Sequence, residues 1–144
     1  MTETGCTESK PLTEGAWKRH NLPGLMGTLG PLLTRREGDH WAYAIRVRDE
    51  HLNQAQVVHG GTITALMDQA LSTIAWDRAG RIPCVTVQLN VSFLDASRAG
   101  QLLIARGKVS HQAGSLIFLD GSVYADDVLV GTAQAVMKRL ENRS

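Results

Sequence analysis

Cysteine is scarce in this chain. Cys6 and Cys84 are the only two, and neither belongs to a CxxC pair or a Cys/His cluster with metal-ligand spacing. That argues against a disulfide-stapled scaffold and a zinc site, and predicts two free thiols in a reducing compartment. Neither sign of charge is in excess: 15 Lys and Arg against 14 Asp and Glu give a net charge of +1, and the basic residues are scattered. This pattern gives no support for a nucleic-acid groove or a polybasic membrane anchor, and points to a small molecule or a second copy as partner. No run approaches the roughly 20 apolar residues of a membrane span. The first residues, MTETGCTESK, lack the basic start and apolar stretch of a signal peptide, so a cytoplasmic protein is expected. What is present is 43% hydrophobic residues in 144, enough for one domain with a real core and too few residues for a second catalytic domain.

Residues 1–11 hold almost nothing apolar and are expected as a disordered tail, leaving 12–144 as a single domain. A short helix is predicted from Thr13 to His20, followed by an irregular cover from Leu22 to Leu33 that Gly and Pro punctuate. HWAYAIRVR, residues His40 to Arg48, alternates like a half-buried strand with Trp41, Tyr43, Ile45 and Val47 on one face. Between Gly61 and Trp76 the period changes: Ile63, Leu66, Met67, Ala70, Leu71 and Ile74 recur at helical steps. Four more strand-like runs follow, Val85 to Phe93, Gln101 to Val109, Ser115 to Ala125 and Val128 to Lys138. Short links between them favour antiparallel pairing. One long helix with about five antiparallel strands implies an α+β fold whose curved sheet wraps the helix.

The informative stretch is HLNQAQVVHGGTITALMDQALSTIAW, residues His51 to Trp76. Gly60 and Gly61 open the helix, where the first N–H groups lack intrahelical partners and the dipole is positive. An oxygen that becomes negative during acyl transfer could be held there. Asp68 lies about 120° round from the apolar stripe, on a flank of small residues with Gly61, Ala65 and Ser72. A carboxylate in the middle of a mostly buried helix must be paired, solvated or employed. At about 1.5 Å per residue, Asp68 is roughly 12 Å along the axis from Gly60, too far for both to serve one carbonyl within a chain. Two such helices meeting antiparallel across a two-fold axis would bring Gly60 of one copy to Asp68 of the other.

Asn53, His59-Gly60-Gly61, Asp68 and Thr86 stand in an order and spacing that resembles the hotdog-fold acyl-CoA thioesterases of the phenylacetate-pathway (PaaI-like) type. The resemblance covers roughly residues 40–139 and implies a homo-oligomer, a dimer or a tetramer of paired dimers, without metal or organic cofactor. It also implies that Asp68 is the nucleophile or the general base that activates water, with the Gly60 N–H polarising the thioester carbonyl. His59 and Asn53 would orient the thioester or the water, and the Thr86 hydroxyl would hold the water. By alternation in VTVQLNVSF, however, Thr86 shares a face with Gln88, Asn90 and Ser92, which also reads as an ordinary polar strand position. On the same resemblance Gly61, Phe93 and the turn His111-Gln112-Ala113-Gly114-Ser115 would contact CoA, with Arg106 and Lys108 near its phosphates. The acyl pocket is expected between the helix flank and the partner's Leu22 to Leu33 segment, closed by Met26, Leu29 and Leu33. Its size suits an aryl or short-to-medium acyl group. A non-catalytic acyl-CoA sensor and a hotdog enoyl-CoA hydratase or dehydratase are the alternatives. His20, His40 and His51 stand alone and read as surface or satisfied histidines.

Overall fold

An open seven-stranded antiparallel sheet packed against one long helix makes up the computed structural model, which describes residues 17–141. In chain order the elements are β1 (Lys18–His20), α1 (Leu25–Leu29), β2 (Leu32–Glu37), β3 (His40–Arg46), a 3-10 turn (Asp49–His51), α2 (Gly60–Arg78), β4 (Cys84–Phe93), β5 (Leu102–Ala113), β6 (Leu116–Ala125) and β7 (Val128–Arg139). The spatial order of strands is β1-β2-β3-β5-β6-β7-β4, so β4 pairs with β7 alone and forms one edge.

The strand, helix, four-strand order expected from periodicity is present, and two further strands precede it. Lys18–His20, expected as the end of a helix, pairs instead with Leu32 to Thr34. Residues 13–16 of that expected helix, the 1–11 tail and Cys6 lie outside the described residues. The Leu22 to Leu33 segment is also more regular than predicted, containing the short helix α1 and the start of β2. LLTRRE has no clean alternation, and pairing with β3 gives it strand structure that its own pattern does not.

The main core lies between α2 and one face of the sheet. Ile63, Leu66, Met67, Ala70, Leu71 and Ala75 of α2 are buried against Tyr43, Ile45, Leu103, Ala105, Ile117 and Met137. Met26 of α1 belongs to this core, so it is not available to close an acyl pocket. Leu33 packs on the reverse face of the sheet with Ala42, Ala44, Leu102 and Ile104, which likewise removes it from that expected role.

Two cross-strand glycines set how closely α2 approaches the sheet. Gly107 of β5 pairs with Gly121 of β6. A Cβ at Gly107 would stand 2.4 Å from Leu71 Cδ2, and one at Gly121 2.6 Å from Met67 Sδ. Glycine is needed here for close approach rather than for backbone freedom. Gly107→Ala is expected to destabilise the fold by about 1–3 kcal/mol through overpacking. Urea unfolding checks this, and an unchanged midpoint would show that the helix has room to retreat.

Candidate active site

The site is assembled on a loop that closes on itself before α2 begins. Leu52 and Val58 form an antiparallel bridge. His59 N–H donates to His51 O at 2.8 Å, and Val58 N–H donates to Ser97 O at 2.7 Å. Asn53 Oδ1 accepts the N–H groups of Ala55 and Val57 at 2.8 and 3.3 Å, folding the loop around its side chain. The acceptor end of Asn53 is therefore engaged by its own loop, which leaves the amide NH2 as the group able to meet a ligand.

His51 ties this loop to the cover. It is 1% exposed; its Nδ1 accepts Arg48 N–H at 2.9 Å and its Nε2–H donates to Leu29 O at 2.7 Å. The Arg48 guanidinium adds bonds to Gly30 O and, at 3.1 Å, to Thr28 O. Burial pushes the His51 pKa below its ordinary 6.5. Because the unfolded chain then binds more protons than the folded one as pH falls through about 6.5, stability drops on acidification. Urea midpoints measured between neutral and mildly acidic pH should fall for wild type and fall less for His51→Asn. Equal slopes would assign the pH dependence to other groups.

At the first turn of α2 a side chain caps the helix. His59 is the N-cap, and its Nδ1 accepts the Gly61 N–H at 2.8 Å. Nδ1 is thus unprotonated, and the ring presents Nε2–H as a donor. The Gly61 amide is engaged, whereas the Gly60 N–H opens the helix without an intrahelical acceptor. The Phe93 ring lies against Gly60: a Cβ there would stand 3.1 Å from Phe93 Cζ. Phe93, expected among the CoA contacts, sits at the helix start beside Gly60.

Asp68 and Thr86 are brought together. Thr86 Oγ1–H donates to Asp68 Oδ1 at 2.6 Å, a short charge-assisted bond. Met137 Sδ lies 3.3 Å from the same hydroxyl and 3.8 Å from Ser72 Oγ, so Met137 forms the back wall of the pair. Alternation would have pointed Thr86 the other way. The register slips between Thr86 and Gln88, so that Thr86 pairs with Met137 while Gln88 pairs with the adjacent Val136. One extra residue, Val87, is bulged out. Beyond the bulge, Gln88, Asn90 and Ser92 pair with Val136, Gln134 and Thr132 on the face away from α2, whereas Thr86 shares the helix side with buried Met137. The expectation that Thr86 shares a face with those residues is corrected by this bulge, which no residue in VTVQLNVSF announces.

The expected CoA hairpin is mostly strand. His111, Gln112 and Ala113 pair with Phe118, Ile117 and Leu116, and the turn itself is Gly114 and Ser115. A second register slip after Val109 aligns Gln112 with Ile117 and Met137, the row that ends at Thr86, and turns His111 to the reverse face beside Phe118. Arg106 is held by Glu37 through bonds of 2.7 and 3.0 Å and lies over the Tyr124 ring. Those bonds, first to Arg106 and then to Arg35, keep the Glu37 carboxyl near pKa 2. Arg106 is thereby withdrawn from the expected phosphate role. Among the described residues no group of three His, Cys, Asp or Glu side chains is placed to hold a metal, and no helix is long and apolar enough to cross a membrane.

Comparison with known proteins places this geometry. PA0474 of Pseudomonas aeruginosa, provisionally named an esterase, is 28% identical over 114 residues, which span 78% of this chain and 85% of that protein. The phenylacetic acid degradation protein PaaI of Thermus thermophilus, solved as an Asn-to-Asp variant, superposes with a TM-score of 0.71 at 24% identity, covering 80% of this chain and 97% of PaaI. A Streptococcus mutans protein solved with acetyl CoA bound gives a TM-score of 0.71 at 22% identity, covering 87% of this chain and 98% of that one. The sequence model of the thioesterase superfamily matches residues 55–132, from the site loop through α2 into β7. The chain belongs to the thioesterase superfamily and has its hotdog fold.

Proposed function

We propose that the protein hydrolyses acyl-CoA thioesters, with Asp68 of one protomer and the Gly60 amide of a second acting on the same carbonyl. The observation that carries this reading is the 2.6 Å Thr86–Asp68 bond, which the bulge at Val87 makes possible. A hydroxyl donor on one carboxylate oxygen holds Asp68 oriented, with its other oxygen left to take a proton from water. The water oxygen attacks the thioester carbon as its proton passes to Asp68. The carbonyl oxygen, now negative, accepts the Gly60 N–H. Collapse breaks the C–S bond, and the proton on Asp68 goes to the leaving sulfur, with His59 Nε2–H as a donor beside it.

Coenzyme A as the carrier is supported by superfamily membership and by the acetyl CoA bound to the Streptococcus mutans neighbour. An aryl or short-to-medium acyl group suits the small residues Gly61, Ala65 and Ser72 that flank Asp68. Pairing of two copies is supported by the edge strand β4. Among the described residues nothing pairs with its outer side, and Val85, Val87 and Phe93 are 44%, 57% and 54% exposed. A ten-residue apolar edge left open is an invitation to association.

Thiol release from a panel of aryl- and straight-chain acyl-CoAs tests the reading. Turnover of at least one class, with stoichiometric CoA thiol, is expected. Binding without turnover would indicate a sensor, and loss of an enoyl group with CoA still attached would indicate a hydratase.

A further inference from the structure

A second cleft, of about 510 Å³, opens on the opposite side of α2 from Asp68. Asp77 on its wall is nine residues beyond Asp68, so it lies about half a turn round the helix and roughly 14 Å further along. The cleft runs between the C-terminal half of α2 and strands β1, β2, β3 and β5, and Trp41, Tyr43 and Trp76 give it aromatic walls. Of the residues expected at the thioester site, Lys108, expected near the CoA phosphates, lines it, and Asp68, Gly60, His59, Asn53 and Thr86 do not.

Three observations mark it as built for a ligand. Tyr43 is only 5% exposed, yet its hydroxyl makes no hydrogen bond among the described residues, although it belongs to the cleft lining. A hydroxyl that opens on a cleft without a protein partner is available to a ligand. Burial first, and then the charge of Asp77, pushes the Tyr43 pKa up to about 12, so the group keeps its proton and acts as a donor. The second observation is Arg81, which adopts a left-handed backbone conformation with φ 69 just after the helix, next to Gly80 at φ 77. A non-glycine residue is strained there. Its guanidinium lies over the Trp76 ring, 5.2 Å from the centroid, and 3.9 Å from Asp77 Oδ1, on the cleft wall. The third is charge. Arg78, Arg81 and Lys108 line the cleft against Asp39 and Asp77, three cations to two anions, which leaves a positive excess.

We propose that this cleft is a binding site for a planar aromatic carboxylate, which packs its ring against the tryptophans and accepts the Tyr43 hydroxyl proton in a hydrogen bond. The aromatic walls recognise the ring, the donor recognises the carboxylate, and the excess cation neutralises it. The site stands independently of whether Asp68 hydrolyses thioesters.

Calorimetric titration of the full chain with indole-3-acetate tests the proposal, with indole-3-acetamide and hexanoate as the neutral and the non-aromatic comparisons. Wild type should bind one indole-3-acetate per chain with Kd below about 1 mM, and the two comparisons should bind at least about tenfold more weakly. Tyr43→Phe, which keeps the ring and removes only the hydroxyl, should weaken binding about tenfold. Arg81→Gly should weaken binding while raising Tm, because it relieves the backbone and removes a cation. Asp68→Asn should bind as wild type does. Absence of binding to wild type, equal affinity in Tyr43→Phe, or loss of binding in Asp68→Asn would each overturn the assignment, the last by moving the acid to the other side of α2.

Discussion

Asp68→Asn should lower kcat by at least about a hundredfold, the low end of what a positioned general base contributes, while KM for acyl-CoA stays within a few-fold of wild type. The substitution keeps the volume and the ability to accept the Thr86 proton at the amide oxygen. What it removes is the charge that receives a proton from water. Steady-state thiol release with paired binding measurements reads the two parameters separately. A single turnover in heavy-oxygen water divides the two roles open to Asp68. Label in the product acid alone follows from water activation, and label in the Asp68 carboxylate follows from a covalent acyl-enzyme. A fall in binding that matches the fall in turnover would mean that Asp68 holds substrate instead.

The second large effect belongs to Thr86 and its bulge. A hydrogen bond to a charged group contributes about 1.5–3 kcal/mol, so Thr86→Val should cost about 10- to 100-fold in kcat. Thr86→Ser should restore most of the rate. Deleting Val87 removes the extra residue and makes Thr86 the direct neighbour of Gln88, so simple alternation keeps Thr86 paired with Met137 on the α2 side. That deletion should therefore cost less than Thr86→Val, and Val87→Thr, which keeps the bulge, should be near wild type. Kinetics on the four variants, with circular dichroism to confirm folding, checks the set. Equal activity in wild type and Thr86→Val would show that the 2.6 Å bond is only structural.

How far the sequence could be read depended on whether a residue's role was set by its own pattern or by its pairing. The step from alternation to helical period at Gly61 marked α2 because its buried stripe is continuous, and the helix runs Gly60–Arg78. β2 was missed because LLTRRE draws its strand structure from β3. Asp68 stood out as a carboxylate on an otherwise apolar helix, and the structure seats it beside Thr86. The orientation of Thr86 was not readable, since a one-residue slip leaves no compositional trace and inverts every side chain on one side of it. His51 looked like a solitary histidine and is a buried two-sided bond between the cover and the site loop. Its partners are a backbone N–H and a backbone carbonyl, which every residue type supplies.

The proposed reaction requires a site shared between two copies, since Gly60 and Asp68 lie about 12 Å apart along one helix. Mixing two inactive variants tests this directly. Asp68→Asn keeps the Gly60 amide, and Gly60→Val keeps Asp68 while placing a side chain where the carbonyl oxygen must sit, against the Phe93 ring. After the two are unfolded together and refolded, half the dimers are hybrids, each with one intact site out of two, so activity should return to about a quarter of wild type. A mixture as inactive as its two components would contradict the shared site and place the whole reaction within one chain.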